Sequence, residues 1–143
     1  MMVIDANLLV YAYDESSPHH ARARNWLDET LSGIEPIRIA LVSLLAFVRI
    51  TTNPSLFLRP LKPDVAIGIV ESWLAIPSVG IADPGERHWR NYAEVARSGQ
   101  VRGPHLMDAH LAALAIEHGA TLMTADRGFA RFPGVKLKNP IAR

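Results

Sequence analysis

Pro104-His105-Leu106-Met107-Asp108-Ala109-His110-Leu111-Ala112-Ala113-Leu114-Ala115-Ile116-Glu117-His118-Gly119-Ala120-Thr121-Leu122-Met123-Thr124-Ala125-Asp126 reads as a helix followed at once by a strand. Pro104 is suited to opening a helix, Met107, Leu111, Leu114 and Ala115 share one stripe, and His118-Gly119 is a strong stop. Thr121-Leu122-Met123-Thr124 then forms a strand that ends in Ala125-Asp126. Working outward, Val3-Ile4 is a short buried strand ending at Asp5, and Leu8, Leu9, Tyr11 and Ala12 lie on a helix that stops near Ser16-Ser17-Pro18. A second helix covers residues 19–31, with Ala23, Trp26, Leu27 and Thr30 on one side and Gly33 as its stop. Residues 37–40 are a β-branched strand, and residues 41–50 continue as an apolar helix, expected to be largely buried, up to Asn53-Pro54. Residues 65–74 have a helical period, Val79–Ile81 is a short strand, 86–98 is a polar, solvent-facing helix, and 135–137 is a last strand. Strands that alternate with helices predict an α/β fold with a parallel sheet covered on both faces.

A chain of 143 residues, 49% hydrophobic and 20% charged, has apolar material for one core, so residues 1–143 are expected to form a single domain. The absence of cysteine excludes disulfides, thiolate zinc sites, iron–sulfur clusters and cysteine nucleophiles, so any metal sits on oxygen or imidazole. Met1-Met2-Val3-Ile4-Asp5 meets an acid before a secretory signal can form, and the longest apolar stretch, 39–48, is far short of the ~20 residues that span a bilayer. A cytoplasmic protein with no membrane contact is expected. The net charge is only +1, yet no acid follows Asp126, and that tail carries Arg127, Arg131, Lys136, Lys138 and Arg143. Lysine occurs only at 62, 136 and 138, so the basic residues are mainly arginine; a GC-rich genome and phosphate binding account for this equally well.

In a parallel sheet, ligands bind outside the carboxyl ends of the strands. Asp5 and Asp126 each follow a strand, and Asp108 lies in the first turns of a helix that starts at the same edge. Three carboxylates in a small space repel one another unless a cation intervenes, and an all-oxygen set suits Mg²⁺ or Mn²⁺. The chemistry implied is metal-assisted phosphodiester hydrolysis. Each aspartate alone also reads as a cap or turn residue: Asp126 before Arg127-Gly128, Asp108 as a first-turn acid. Phosphate-loop, dinucleotide, zincin and nucleophile-elbow motifs are absent. His105 and His110 flank Asp108, and His19-His20 open a helix, but solvated or capping roles suit them better than ligation. Trp26, Trp73 and Trp89 sit at helical positions where core packing is the default over base stacking. Ser43 and Thr124 have no visible paired base, so covalent catalysis is not expected.

Val3-Ile4-Asp5-Ala6-Asn7, Asp108-Ala109-His110-Leu111-Ala112-Ala113-Leu114-Ala115 and Thr124-Ala125-Asp126-Arg127-Gly128-Phe129 resemble, in order, the motifs of PIN-domain ribonucleases, in particular VapC-type toxins of bacterial toxin–antitoxin pairs. The resemblance spans nearly the whole chain. It implies a three-layer α/β/α sandwich with a mainly parallel sheet of about five strands, and Asp5, Asp108 and Asp126 as catalytic, metal-holding acids around Mg²⁺. It further implies endonucleolytic cleavage of structured RNA such as tRNA or ribosomal RNA, restraint by a VapB-type antitoxin, and a homodimer. Asn7 matches a small polar position that supports the site, and Arg127 and Arg131 are candidates for RNA phosphates.

One departure concerns metal count. The family commonly carries a third-helix glutamate where Ala46-Phe47-Val48-Arg49 has alanine, although a subgroup with a similar LLAF-x-R segment shares the difference. Asp14, Glu15, Asp83 and Glu86 are possible substitutes that the sequence does not choose among. Two rival readings remain: a phosphohydrolase with Asp5 as nucleophile, which lacks a second acid where Asn7 stands, and a catalytically weak or inactive RNA-binding or antitoxin-bound regulator of the same fold.

Overall fold

The computed structural model describes residues 1–143. Val3 and Ile4 point to opposite faces of their strand, as pleating requires, and the two halves of the core follow from that alternation. Val3 and Leu122 pack against Val95, Ala109 and residues 111–115 on one face, while Ile4 and Met123 join Leu8, Leu27, Phe47 and Trp73 on the other.

The elements run β1 (Met2–Ile4), α1 (Ala6–Tyr11), α2 (His20–Leu31), β2 (Ile37–Ile39), α3 (Leu41–Thr51), α4 (Pro63–Leu74), β3 (Val79–Ile81), α5 (His88–Gly99), α6 (His105–Glu117), β4 (Thr121–Met123) and β5 (Lys136–Lys138), with a 3-10 turn at Arg127–Arg131. All four strand pairings are parallel, in the order β3-β2-β1-β4-β5. This is the expected α/β sandwich: α1 to α4 supply one face, α5 and α6 the other. The outermost strand β5 is exposed along its length and carries a lysine at each end, which discourages pairing with another sheet edge. No helix is long and apolar enough to cross a membrane.

Helix α6 is buried at Ala109 and throughout Leu111, Ala112, Ala113, Leu114 and Ala115, because small side chains let it lie between the sheet and α5. Gly119, at φ +60, takes the left-handed position that ends it. Three expectations need correction. Helix α3 is not largely buried: Ser43, Leu44, Phe47 and Thr51 face inward, but Leu41 and Leu45 are 54% and 60% exposed, because α3 has the sheet on one side only. Helix α5 starts at His88 and is not wholly solvent-facing, since Val95, flanked by Tyr92 and Ala96, packs against the core on α6. Trp73 is buried and packs 4.9 Å from Phe47 with the rings tilted, as core packing predicts, but Trp89 is 76% exposed.

Candidate active site at the carboxyl edge of the sheet

The chain moves outward from β1 through β2 to β3, then returns to place β4 on the other side of β1. The reversal point of such a sheet leaves a crevice at the carboxyl ends of the two central strands. Here these ends are Asp5, after β1, and Thr124-Ala125-Asp126, after β4, and the Asp5 amide donates to the Met123 carbonyl (3.0 Å) across the junction.

Thr124 organises the site. Its buried hydroxyl donates to Asp5 Oδ2 (2.8 Å) and accepts from the Asp126 amide (3.0 Å) and from Asn7 Nδ2 (3.4 Å). A single side chain therefore fixes the acid after β1, the backbone of the acid after β4 and the amide of α1. The sequence reading considered Thr124 only as a nucleophile and missed this role, although a hydroxyl two residues before an aspartate is a turn signal.

Asp5 stands at the start of α1 without capping it through its side chain, which is engaged instead by the Thr124 hydroxyl. Burial pushes its pKa above the usual carboxylate value, the Thr124 hydroxyl and the Ala6 amide oppose the rise, and the charges of Asp108 and Asp126 add to it. Asp108 and Asp126 are thus near enough for their charges to act on Asp5. Asp108, in the first turn of α6, is partly exposed and lies 3.1 Å from His105 Nδ1. Asp126 is exposed, and its Oδ1 accepts from the Gly128 amide (2.8 Å), so it caps a turn as well as facing the edge. A Cβ at Gly128 would stand 3.0 Å from that oxygen, so a larger residue there would push the Asp126 carboxylate aside. Arg131 folds back to donate from Nε to the Gly128 carbonyl (2.8 Å), and Arg127 is exposed beside it.

No three carboxylate or imidazole groups converge closely enough to form a ready-made ligand cluster. The donors still suit a hard cation that keeps most of its water and needs only one or two carboxylates. Asp5 is a half-buried acid whose charge lacks a cationic partner, and Asn7 Oδ1, on the side chain that shares Thr124 with it, is buried without a hydrogen bond. None of Asp14, Glu15, Asp83 or Glu86 is among the charges that act on Asp5, and Asp14 is engaged by Ser16.

The PIN domain family profile matches residues 2–135. The chain belongs to the PIN-domain family. Ribonuclease VapC37 of Mycobacterium tuberculosis is 43% identical over 142 residues, covering 99% of both chains. FitAcB from Neisseria gonorrhoeae superposes with a TM-score of 0.71 at 21% identity over 98% of each chain. VapBC2 from Rickettsia felis, bound to a DNA fragment from its promoter, gives 0.69 at 20% identity over 96% of this chain and 97% of its own. The PIN architecture expected from the residues is thus the observed one, and the relatives named in the same terms are VapC ribonucleases.

Proposed function

We propose that this PIN-domain protein is a Mg²⁺-dependent endoribonuclease, the toxin of a VapB-restrained toxin–antitoxin pair, acting in the cytoplasm as a homodimer on structured RNA such as tRNA or ribosomal RNA. The observation that carries the reading is the half-buried Asp5, fixed by Thr124 at the sheet's reversal point and repelled by Asp108 and Asp126. The 43% identity to a VapC ribonuclease supports RNA as the substrate, and the shared fold with a VapBC2 complex supports the antitoxin.

Asp5 and Asp108 would hold Mg²⁺, or Mn²⁺ in its place, largely through water. When bound, the ion supplies charge neutralisation at the phosphate and acidifies a water molecule. Asp126 keeps Oδ2 free, with Oδ1 fixed by Gly128, and orients the attacking water. Asn7 Oδ1, buried and without a hydrogen bond, would accept one from a water molecule held beside Asp5. A water oxygen forms the new bond to phosphorus, the P–O3′ bond breaks, and the leaving oxygen takes up a proton, so the products are a 3′-hydroxyl and a 5′-phosphate. Purified protein is expected to cut RNA with Mg²⁺ present and to stop on chelation; cleavage that survives chelation would sink the reading. Co-expression of a short neighbouring reading frame should relieve growth arrest if the pairing with an antitoxin is right.

Arg127 and Arg131 flank Asp126 in the acid-free tail and would contact phosphates. Each phosphate contact contributes about one unit to the slope of log affinity against log salt. Neutralising both arginines should flatten that slope by about two units, measured by binding titrations across a salt series. An unchanged slope would assign RNA to another surface.

Ala46 leaves the pocket with three acids, and a second Mg²⁺ dehydrates too reluctantly to bind tightly without charged oxygens. Calorimetric titration with Mn²⁺ should show one tight site in the parent, with Ala46→Glu raising affinity or stoichiometry. Position 46 is half-buried, between exposed Leu45 and buried Phe47, and the variant reads the pocket only where this position faces it. Two tight sites in the parent, or no change in the variant, would contradict the single-ion pocket.

A further inference from the structure

A second feature, between α5 and α6, has no part in the site described so far. Glu117 Oε2 accepts from His88 Nδ1 (2.5 Å), and His88 Nε2 bonds His110 Nδ1 (2.8 Å), a fixed carboxylate–imidazole–imidazole chain joining α5 to α6. Glu117 and His88 are only 10% and 15% exposed. The chain ends at a mainly apolar pocket of about 270 Å³ whose walls include Trp89, Tyr92, Leu106 and Met107. With Nδ1 of His110 taken by His88, its Nε2 is the hydrogen-bonding atom left for whatever enters.

We propose that this pocket receives one unpaired nucleobase of the RNA, stacked on Trp89 and hydrogen-bonded at its edge by His110 Nε2. The inference rests on the ribonuclease reading and names a subsite for it. Trp89 is 76% exposed and braced by Tyr92, with ring centroids 5.4 Å apart and planes 38° apart, a geometry that leaves the indole as an outward platform. Met107 lines the pocket and Asp108 follows it on α6, so a nucleotide whose base is seated there brings its phosphate toward the acidic edge. Arg87 and Arg90 flank His88 and Trp89, are exposed, and form no ion pair. Phosphates complement them.

Tryptophan fluorescence tests this in an Asp5→Asn background, which keeps the RNA intact. The probes are single-stranded homopolymeric oligoribonucleotides of the four bases and an abasic oligomer of equal length. At least one homopolymer should quench the signal, the abasic oligomer should not, and Trp89→Phe should remove the response while retaining most of the affinity. Trp89→Ala should weaken binding about tenfold. Because Trp89 is exposed, neither change disturbs the core. No quenching by any base, equal binding of the abasic oligomer, or parental affinity in Trp89→Ala overturns the proposal. Conversion of a dimer to a monomer by Trp89→Ala with affinity unchanged assigns the face to contact between copies instead. These readouts are of binding, so a parent chain that cuts no RNA contradicts the ribonuclease reading without deciding this one.

Discussion

Asp5→Asn is expected to lower RNA cleavage by about a thousandfold or more, the scale of losing a charged ligand and the electrostatic stabilisation it supports. The same change should stabilise the metal-free protein. Burial, Asp108 and Asp126 hold the folded-state pKa of Asp5 above its unfolded value. The favourable contribution of its protonated carboxyl is therefore complete below the usual carboxylate range and is lost as pH rises through the raised folded value. Asparagine keeps the shape without the charge. Thermal melts of the variant should show a higher midpoint than the parent at neutral pH, with the gap closing as the pH falls, and added Mn²⁺ should raise the midpoint of the parent but not of the variant. Cleavage at the parental rate would remove Asp5 from the site.

Thr124→Val should reduce both stability and activity, although the two side chains are nearly isosteric. The valine cannot donate to Asp5 or accept from the Asp126 amide, and a buried polar group left unpaired costs about 1–3 kcal/mol. The Thr124 hydroxyl also opposes the rise in the Asp5 pKa, so its removal pushes that value higher and moves the acid limb of the cleavage–pH profile upward. Thr124→Ser keeps the hydroxyl and should restore the profile. An acid limb at the parental pH in Thr124→Val would show that the hydroxyl does not govern Asp5.

The residues that were legible from sequence owe this to local rules. Pro104, Gly119 and the Met107, Leu111, Leu114 and Ala115 stripe mark α6 through backbone preference and period, and the parallel alternation then puts Asp5, Asp108 and Asp126 at one sheet edge. What was not legible depends on partners distant in the chain. The hydroxyl of Thr124 meets Asp5 and Asn7, which are 119 and 117 positions away. His88 finds Glu117 and His110 only because α5 packs on α6. Helical spacing places Trp26, Trp73 and Trp89 on apolar faces alike, but only tertiary packing decides that Trp73 meets Phe47 while Trp89 meets solvent. The exposed Leu41 and Leu45 have the same origin: hydrophobicity alone does not reveal that α3 has a neighbouring layer on one side only.

The central claim is that the acids at the reversal point of the sheet direct a water molecule onto an RNA phosphate with a divalent cation present. Chemical analysis of the RNA ends left by the purified protein, with Mg²⁺ and after chelation, tests it most directly. The account predicts new 5′-phosphate and 3′-hydroxyl ends that appear only with the ion. Ends carrying a 2′,3′-cyclic phosphate, or cleavage indifferent to chelation, would mean that the RNA's own 2′-hydroxyl is the nucleophile or that the acids act without a metal, and the account would be wrong.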